Sequence, residues 1–453
     1  MNAGKPRQVL SLFDAVAIIV GLVIGAGIFR LPSLVAMQID SGWIIIGVWV
    51  LGGLISLIGA LCFAELATAY PHPGGEYHYL TRAFGRDCGF MFAWARMSVV
   101  QTGSIALFAY IFGDYASELL PLGPHSSAIW AAGAVVCLTA LNIAGVRQTK
   151  TVQNLLFAAT LLGLSCIVVA GLLLLSPAGP SAAPDLGSGG GSSGGITGAA
   201  FGLAMVFVLL TYGGWNEAAY ISAEVRDGRR NMVRALLIGI GLITLVYVAV
   251  NFVYVQVLGP AGMASSSAVA RNVMDAAFGP AGSVFITVLI MLVVLTSLNV
   301  TIFTGARTNF ALGRDFPLFG FLAQWSEKGS APVRALLFQA AIALALVLLG
   351  AMRRDGFETM VEYLSPVFWL FFLLTGLALF VLRRRDPGRE RPFRVPLYPV
   401  TPALFCVTCA YLLYSSLNYT GTGAFVGVAV LLLGLPLLFA ARRSPAPASL
   451  GSD

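Results

Sequence analysis

Charged residues are scarce: Asp, Glu, Lys and Arg make up only 10% of the 453 residues, whereas a soluble domain typically carries about 25%. A chain this poor in charge cannot cover a water-facing surface of ordinary polarity, which excludes a soluble globular protein. Histidine is scarcer still, and His72, His78 and His125 are not grouped as metal ligands: the first two flank a turn and the third falls in an outer loop. No Ser–His pairing, HExxH motif or paired-aspartate arrangement occurs, so the usual signatures of an enzyme are missing. Nothing calls for a cofactor. Of the six cysteines, Cys62, Cys137, Cys166, Cys406 and Cys409 sit in apolar runs and Cys88 at the edge of one, so none is placed to form an extracellular disulfide. Cys406 and Cys409 have C-x-x-C spacing. On an apolar helix without a second pair they read as small packing residues.

Apolar residues dominate instead, at 58% of the chain with a mean hydropathy of +0.86. The apolar stretches are long enough to cross a hydrocarbon core of about 30 Å. Twelve spans are expected, near 13–37, 43–69, 88–119, 127–145, 151–176, 197–225, 232–258, 280–307, 332–350, 358–382, 397–418 and 422–441. With both termini cytoplasmic, 22 of the 27 basic residues fall in cytoplasmic segments, as retention of Lys and Arg on that side requires. The net charge of +7 is therefore read as a topology signal and not as a nucleic-acid surface. Met1–Leu10 is short and basic with no small-residue cleavage site after it, so no cleavable signal peptide is expected. The low-complexity run 177–196, rich in Gly and Ser, reads as a flexible extracellular linker. The tail 442–453 reads as a cytoplasmic, Pro/Ala/Ser-rich end. Asn418-Tyr419-Thr420 is a sequon that abuts the membrane and carries little weight for glycosylation.

Two spans are interrupted at their centres by glycine, roughly 190 residues apart. The first reads Ile24-Gly25-Ala26-Gly27-Ile28-Phe29 and the sixth Leu210-Thr211-Tyr212-Gly213-Gly214-Trp215-Asn216. Inside a bilayer every backbone N–H and C=O needs a partner, so a span that stops being helical must line a cavity or a ligand. Paired interruptions in two halves point to the substrate site of a secondary transporter. Glycine lets the main chain open and approach a ligand without a Cβ in the way. The amide end of a half-helix, expected here from Ile28 onward, suits a carboxylate, and the carbonyl end suits an ammonium or a metal ion. A zwitterion fits between them, so α-amino acids are the favoured substrate class. Close helix packing through small residues is the alternative for Gly-x-Gly.

At these residues the chain resembles the amino acid–polyamine–organocation (APC) superfamily, and is similar to bacterial relatives of the L-type amino acid transporters. Gly25-Ala26-Gly27-Ile28-Phe29, Glu65-Leu66 with Gly74-Gly75-Glu76-Tyr77, Tyr212-Gly213-Gly214-Trp215-Asn216 with Glu224 and Arg230-Asn231, and Arg307 with Gly313-Arg314-Asp315 carry the likeness in order along nearly the whole chain. The resemblance implies an all-α integral membrane protein of twelve transmembrane helices. Its fold would be a LeuT-type 5+5 inverted repeat (13–176 and 197–382) plus two C-terminal helices (397–441), working by alternating access. It also implies that Ile24, Gly25, Ala26 and Gly27 bind the substrate carboxylate, that Leu210, Thr211 and Gly213 offer amine-binding carbonyls and the start of a gate, and that Asn216 joins the site.

Four departures from the family pattern qualify this. Gly213 stands where members taking cationic amino acids resemble one another in having Asp, which favours neutral substrates. Leu210 replaces a common aromatic gate. Thr160 stands where many sodium-independent relatives carry a lysine. Glu217 replaces a residue that is usually uncharged; an intramembrane carboxylate is by default a functional candidate, with proton exchange and structural hydrogen bonding both open. Tyr212, Trp215, Glu65 and Glu224 complete the gate or coupling candidates, and Glu65, Glu224 and Arg307 could form ion pairs or snorkel. Asp14 reads as a cap of span 1. Thr301 and Thr304 could join a sodium site or bond to their own helix; no other metal site is expected.

The resulting expectation is a multi-pass cell-membrane transporter of neutral L-α-amino acids, running as a sodium-independent exchanger or with protons. A sodium-coupled symporter of the same fold and a non-transporting amino acid sensor remain alternatives. The loop Leu120–Ser127 lacks the cysteine through which animal relatives join a heavy chain, so no disulfide-linked heavy subunit is expected.

Overall fold

The computed structural model describes residues 11–72, 74–144, 150–174, 197–217, 225–226, 228–326, 331–353, 355–418 and 421–443. The linker 177–196, Glu224, the sequon residues Tyr419 and Thr420, and the tail beyond 443 lie outside these. Among the described residues the backbone is mostly helical, and an isolated bridge joins Ser326 and Ala331. The helices are α1 (Leu12–Val23), α2 (Leu31–Ala36), α3 (Gly42–Ala69), α4 (Gly75–Phe84), α5 (Arg86–Ala95), α6 (Gln101–Leu119), α7 (Ser126–Ile143) and α8 (Lys150–Leu174). They continue as α9 (Gly198–Thr211), α10 (Gly228–Ala264), α11 (Val269–Asp315), α12 (Val333–Ala351), α13 (Gly356–Arg385), α14 (Val400–Asn418), α15 (Thr422–Leu432) and α16 (Gly434–Arg443).

Among the described residues nine helices are long and apolar enough to cross a membrane. Three shorter apolar ones, Leu12–Gly21, Thr160–Leu174 and Gly198–Thr211, lie where spans 1, 5 and 6 were expected. The first and third are short because the chain leaves the helix near the glycine interruptions. Inside α10 and α11 the helix is bent sharply at Gly259 (φ 68°) and Gly279 (φ 64°), each followed by proline. A positive φ suits glycine, and the next proline has no N–H to continue the helix. These two Gly-Pro steps set the ends of the seventh and eighth apolar runs, next to the expected 258 and 280.

The start of α1 differs in detail from the expectation. Ser11, not Asp14, is the N-cap. Its hydroxyl accepts from the Asp14 N–H while the Asp14 carboxylate accepts from the Ser11 N–H, a reciprocal capping box.

The chain divides into two compact units. The first gathers 1–89, 160–286 and 369–418. Its packing is organised by glycines of α3, as small-residue helix contacts require. A Cβ at Gly52 would fall 2.4 Å from Val208 Cγ1, one at Gly53 2.3 Å from Thr244 Oγ1, and one at Gly59 2.6 Å from Phe405 and 2.7 Å from Trp215. The second unit holds 90–159, 287–368 and 419–453. Its long apolar run after Arg86 contains a π-turn, Arg96–Val100, and the Ser98 carbonyl in that turn accepts from the buried Tyr363 hydroxyl at 2.8 Å. In the same unit, Gln101 and Gln339 donate to the adjacent Thr301 and Ile302 carbonyls of α11 at 2.7 and 2.6 Å.

Candidate functional site

Both interruptions lie in the first unit. The last regular bond of α1 runs from Ile24 N–H to Val20 C=O. Ile24 then adopts φ −73°, ψ 85° and the Gly25 N–H turns back to the Val23 carbonyl at 2.8 Å, an inverse γ-turn. Gly25 is extended at φ −119°, ψ −160°, and a 3-10 turn follows at Ala26–Phe29 with no side-chain cap. Regular helix resumes only at Leu31, with Pro32 in its first turn, where proline is at home. The half-helix expected from Ile28 therefore starts later, and the leading amides at the break belong to the 3-10 turn. The first N–H groups of such a turn have no intrahelical acceptor.

The sixth span behaves alike. Helix α9 stops at Thr211, the chain turns through Tyr212 and Gly213, and Gly214 takes φ 116°, a value that L side chains rarely adopt. A 3-10 turn at Trp215–Glu217 follows. At Gly213 a Cβ would sit 3.0 Å from the Leu210 carbonyl oxygen, and at Gly27 one would sit 3.5 Å from Thr211 Cγ2. The two breaks thus lie against each other where Gly27 faces Thr211.

One side chain ties them together. The Tyr247 hydroxyl of α10 lies 2.9 Å from the Val23 carbonyl and 3.2 Å from the Thr211 carbonyl, the final carbonyls of the two interrupted helices. The ring is fully buried and packs at 5.0 Å on Tyr212 and at 5.8 Å, edge-on, on Trp49. Tyr212 in turn donates to the Trp49 carbonyl at 2.9 Å.

The sequence-predicted residues are distributed as follows. Ile24 and Ala26 are buried, and Gly25, Gly27, Leu210 and Gly213 are half-buried. Thr211 is buried, its hydroxyl spent on the Phe207 carbonyl at 2.9 Å. Asn216 is buried and donates to the Glu76 carboxylate at 3.2 Å. Trp215 is packed in an aromatic cluster, 5.1 Å from Phe63 and 5.6 Å from Phe372. Thr160 is buried. Glu217 has its backbone in the 3-10 turn, while its side chain, like all of Glu224, lies outside the described residues. Thr301 and Thr304, in the second unit, donate to their own helix at Ser297 (2.7 Å) and Val300 (2.9 Å). Arg307 lies over the Phe303 ring at 3.3 Å.

Glu65 is no solvated span end. Only 2% exposed, it receives a two-pronged contact from Arg383 at 2.7 and 2.5 Å, Arg391 at 3.6 Å and the Val395 N–H at 2.7 Å. After α3, His72 stacks on His78 of α4 at 4.2 Å, with His72 Nδ1 accepting from the Gly74 N–H at 2.9 Å. Burial, and secondarily His72, Arg82 and Arg389, pushes His78 down to about 4. Hydrogen bonds from Arg82, and then from Tyr70, hold Asp386 below its ordinary range.

Tyr247, Trp49 and Glu76 are functional candidates that sequence reasoning missed. Glu76 lay inside a quoted motif but carried no assigned role, and a tyrosine within an apolar span gives no signal of what its hydroxyl will meet.

The family model described as amino acid permease matches residues 10–436. The chain is 32% identical to the mouse (Mus musculus) b(0,+)-type amino acid transporter 1, over 86% of its own length and 79% of that protein. It is 31% identical to the human (Homo sapiens) Asc-type amino acid transporter 1, over 96% and 82%. It is also 31% identical to the mouse large neutral amino acids transporter small subunit 2, over 96% and 81%. These are transporters, not enzymes.

Proposed function

The chain belongs to the amino acid permease family, and from that premise we propose that it is a secondary transporter of neutral L-α-amino acids working by alternating access. Twelve spans, arranged as two inverted five-helix repeats plus two more, with both termini cytoplasmic in the cell membrane, form the frame of this reading. The observation that carries it is the pair of main-chain breaks held side by side by Tyr247. The substrate carboxylate meets the amides of Gly25–Gly27 at the 3-10 turn, and its ammonium meets carbonyls of the Leu210–Gly213 break. Leu210 and Asn216 shape the rest of the site, and Tyr212, Trp215, Glu65 and Glu224 belong to the gating machinery. With Gly213 where a carboxylate would be needed, a cationic side chain would be left unpaired in a poorly solvated site, which supports neutral substrates.

Transport proceeds as sodium-independent exchange or with protons taken up at Glu217, and no disulfide-linked heavy subunit is needed. A sodium-coupled mode is the second reading, favoured by one observation: Thr160, and not a lysine, occupies its place in α8. Purified protein in liposomes loaded with one labelled neutral amino acid tests the proposal. Counterflow should proceed without a sodium gradient and be competed by neutral but not cationic amino acids. Uptake that requires sodium overturns the coupling mode; binding without exchange overturns transport itself. Full activity and an unchanged pH profile in Glu217→Gln would remove protons from the mechanism.

A further inference from the structure

Six arginines fall within the twelve residues 383–394, three in the last turn of α13 and three in the segment leading to α14. Three of them are occupied in holding the segment to the first unit. Arg383 and Arg391 grip the buried Glu65 carboxylate, and Arg391 also donates to the Leu382 and Asp386 carbonyls at 3.1 and 2.9 Å. Arg389 donates to the Ala69 carbonyl at 3.0 Å and lies 5.1 Å over the Tyr70 ring. Arg384, Arg385 and Arg394 are exposed. Among the described residues Arg385 makes a long 3.4 Å bond to the Arg82 carbonyl. Arg394 directly precedes Val395, whose N–H is fixed on Glu65, so its backbone is anchored while its guanidinium is left to the surroundings.

An apolar stripe starts three residues further on. Leu397 is 79% exposed, Val400 64%, Leu404 49% and Val407 65%. Val400, Leu404 and Val407, spaced by four and three, share one face of α14, and Leu397 precedes that helix. Leu397 also holds φ 53°, a conformation that costs a leucine roughly 1 kcal/mol; it presents an apolar side chain at the junction of arginine loop and span. A soluble anion would meet the arginines alone. A lipid uses both.

We propose that this surface binds an anionic phospholipid, with its phosphate on Arg384, Arg385 and Arg394 and an acyl chain along Leu397, Val400, Leu404 and Val407. Juxtamembrane arginines attract anionic headgroups with about 1 kcal/mol each, so each arginine lost should weaken the lipid roughly fivefold and all three on the order of a hundredfold. The proposal requires that the chain span a bilayer and is independent of which solute it carries.

Native mass spectrometry of the full-length protein, titrated with phosphatidylglycerol, phosphatidylcholine or water-soluble glycerol phosphate, tests it. The wild type should retain phosphatidylglycerol well above phosphatidylcholine and glycerol phosphate. The R384Q/R385Q/R394Q variant should lose most of that preference at an unchanged melting temperature, and L397S/V400S should weaken the lipid without altering glycerol phosphate. If the triple variant does not fold, the singles R384Q and R394Q carry the test with a severalfold loss each. Phosphatidylglycerol binding unchanged in these variants overturns the proposal. So does phosphatidylcholine bound as tightly, or glycerol phosphate bound as tightly as the lipid.

Discussion

Replacing Tyr247 by Phe removes one oxygen from a fully buried ring and leaves its contacts with Trp49 and Tyr212 in place. What is lost is the donor shared between the Val23 carbonyl at 2.9 Å and the Thr211 carbonyl at 3.2 Å. Both belong to the last residue of a helix, where no following turn supplies a donor; Val23 keeps only the γ-turn bond from Gly25. Leaving a buried acceptor without its partner costs about 1–3 kcal/mol, which corresponds to roughly a five- to hundredfold change in the equilibrium that keeps the breaks in register. If these breaks bind the substrate's two charged ends, kcat/KM for a labelled neutral amino acid in liposome counterflow should fall by about that factor, with correctly inserted protein unchanged. Tyr212→Phe is the control. Its hydroxyl serves the Trp49 carbonyl, which lies in mid-helix within α3, so its loss should cost about 1 kcal/mol or less. Equal and small effects for both variants would refute the claim that Tyr247 organises the site.

Three further outcomes follow from the same structure. Glu65→Gln leaves Arg383 and Arg391 facing a neutral group in a buried pocket, and removing one partner of such a pair costs about 3–5 kcal/mol; a clear drop in melting temperature in detergent is expected, and an unchanged melt would deny the cluster its holding role. Gly213→Asp places a carboxylate where a Cβ lies 3.0 Å from the Leu210 carbonyl oxygen, tight but within reach of a small shift. Uptake of neutral substrate should fall severalfold and lysine or arginine should begin to compete; competition unaltered by the substitution would argue against the neutral-selectivity reading. His78, held down to about 4 against an ordinary 6.5, stays neutral in the folded state while the unfolded chain takes up a proton. Stability should therefore decline as pH falls from about 6.5 toward 4, by about 1 kcal/mol once solvent screening of this half-buried ring is allowed for, and His78→Phe should flatten that part of a melting-temperature profile. A wild-type profile already flat there would contradict the assignment.

The places where the helices break were legible because glycine pairs inside apolar runs have few other uses in a bilayer. Gly25, Gly27, Gly213 and Gly214 lie at or beside the breaks. The bends inside α10 and α11 have a related origin: Gly259-Pro260 and Gly279-Pro280 are local signals that act without tertiary help. The form of the first break was not readable. An inverse γ-turn at Ile24 and a 3-10 turn before Leu31 depend on how Val23 is held from outside its own helix, and no periodicity encodes that. The same limit applies to Glu65. Its position near a span end suited a snorkelling residue as well as an ion pair, and the partners that decide the matter, Arg383 and Arg391, lie more than 300 residues away in the chain.

Tyr247 marks the deeper boundary between what composition conveys and what packing adds. A sequence can tell where main chain leaves the helix, because that is a property of glycine. It cannot tell what keeps two such breaks together, because that depends on a hydroxyl delivered by a third helix, and nothing in that helix's own sequence marks what the hydroxyl meets. An unsupported break would leave two carbonyl ends buried and competing for any donor, and its geometry would drift with each substrate. Fixing both carbonyl ends from one side leaves the remaining polar surface of the breaks, the leading amides and the other carbonyl lone pairs, directed to whatever enters between them. On the proposed reading, selectivity for a zwitterionic backbone would reside in main-chain groups held by Tyr247, and discrimination among side chains would fall to the adjoining Leu210 and Gly213.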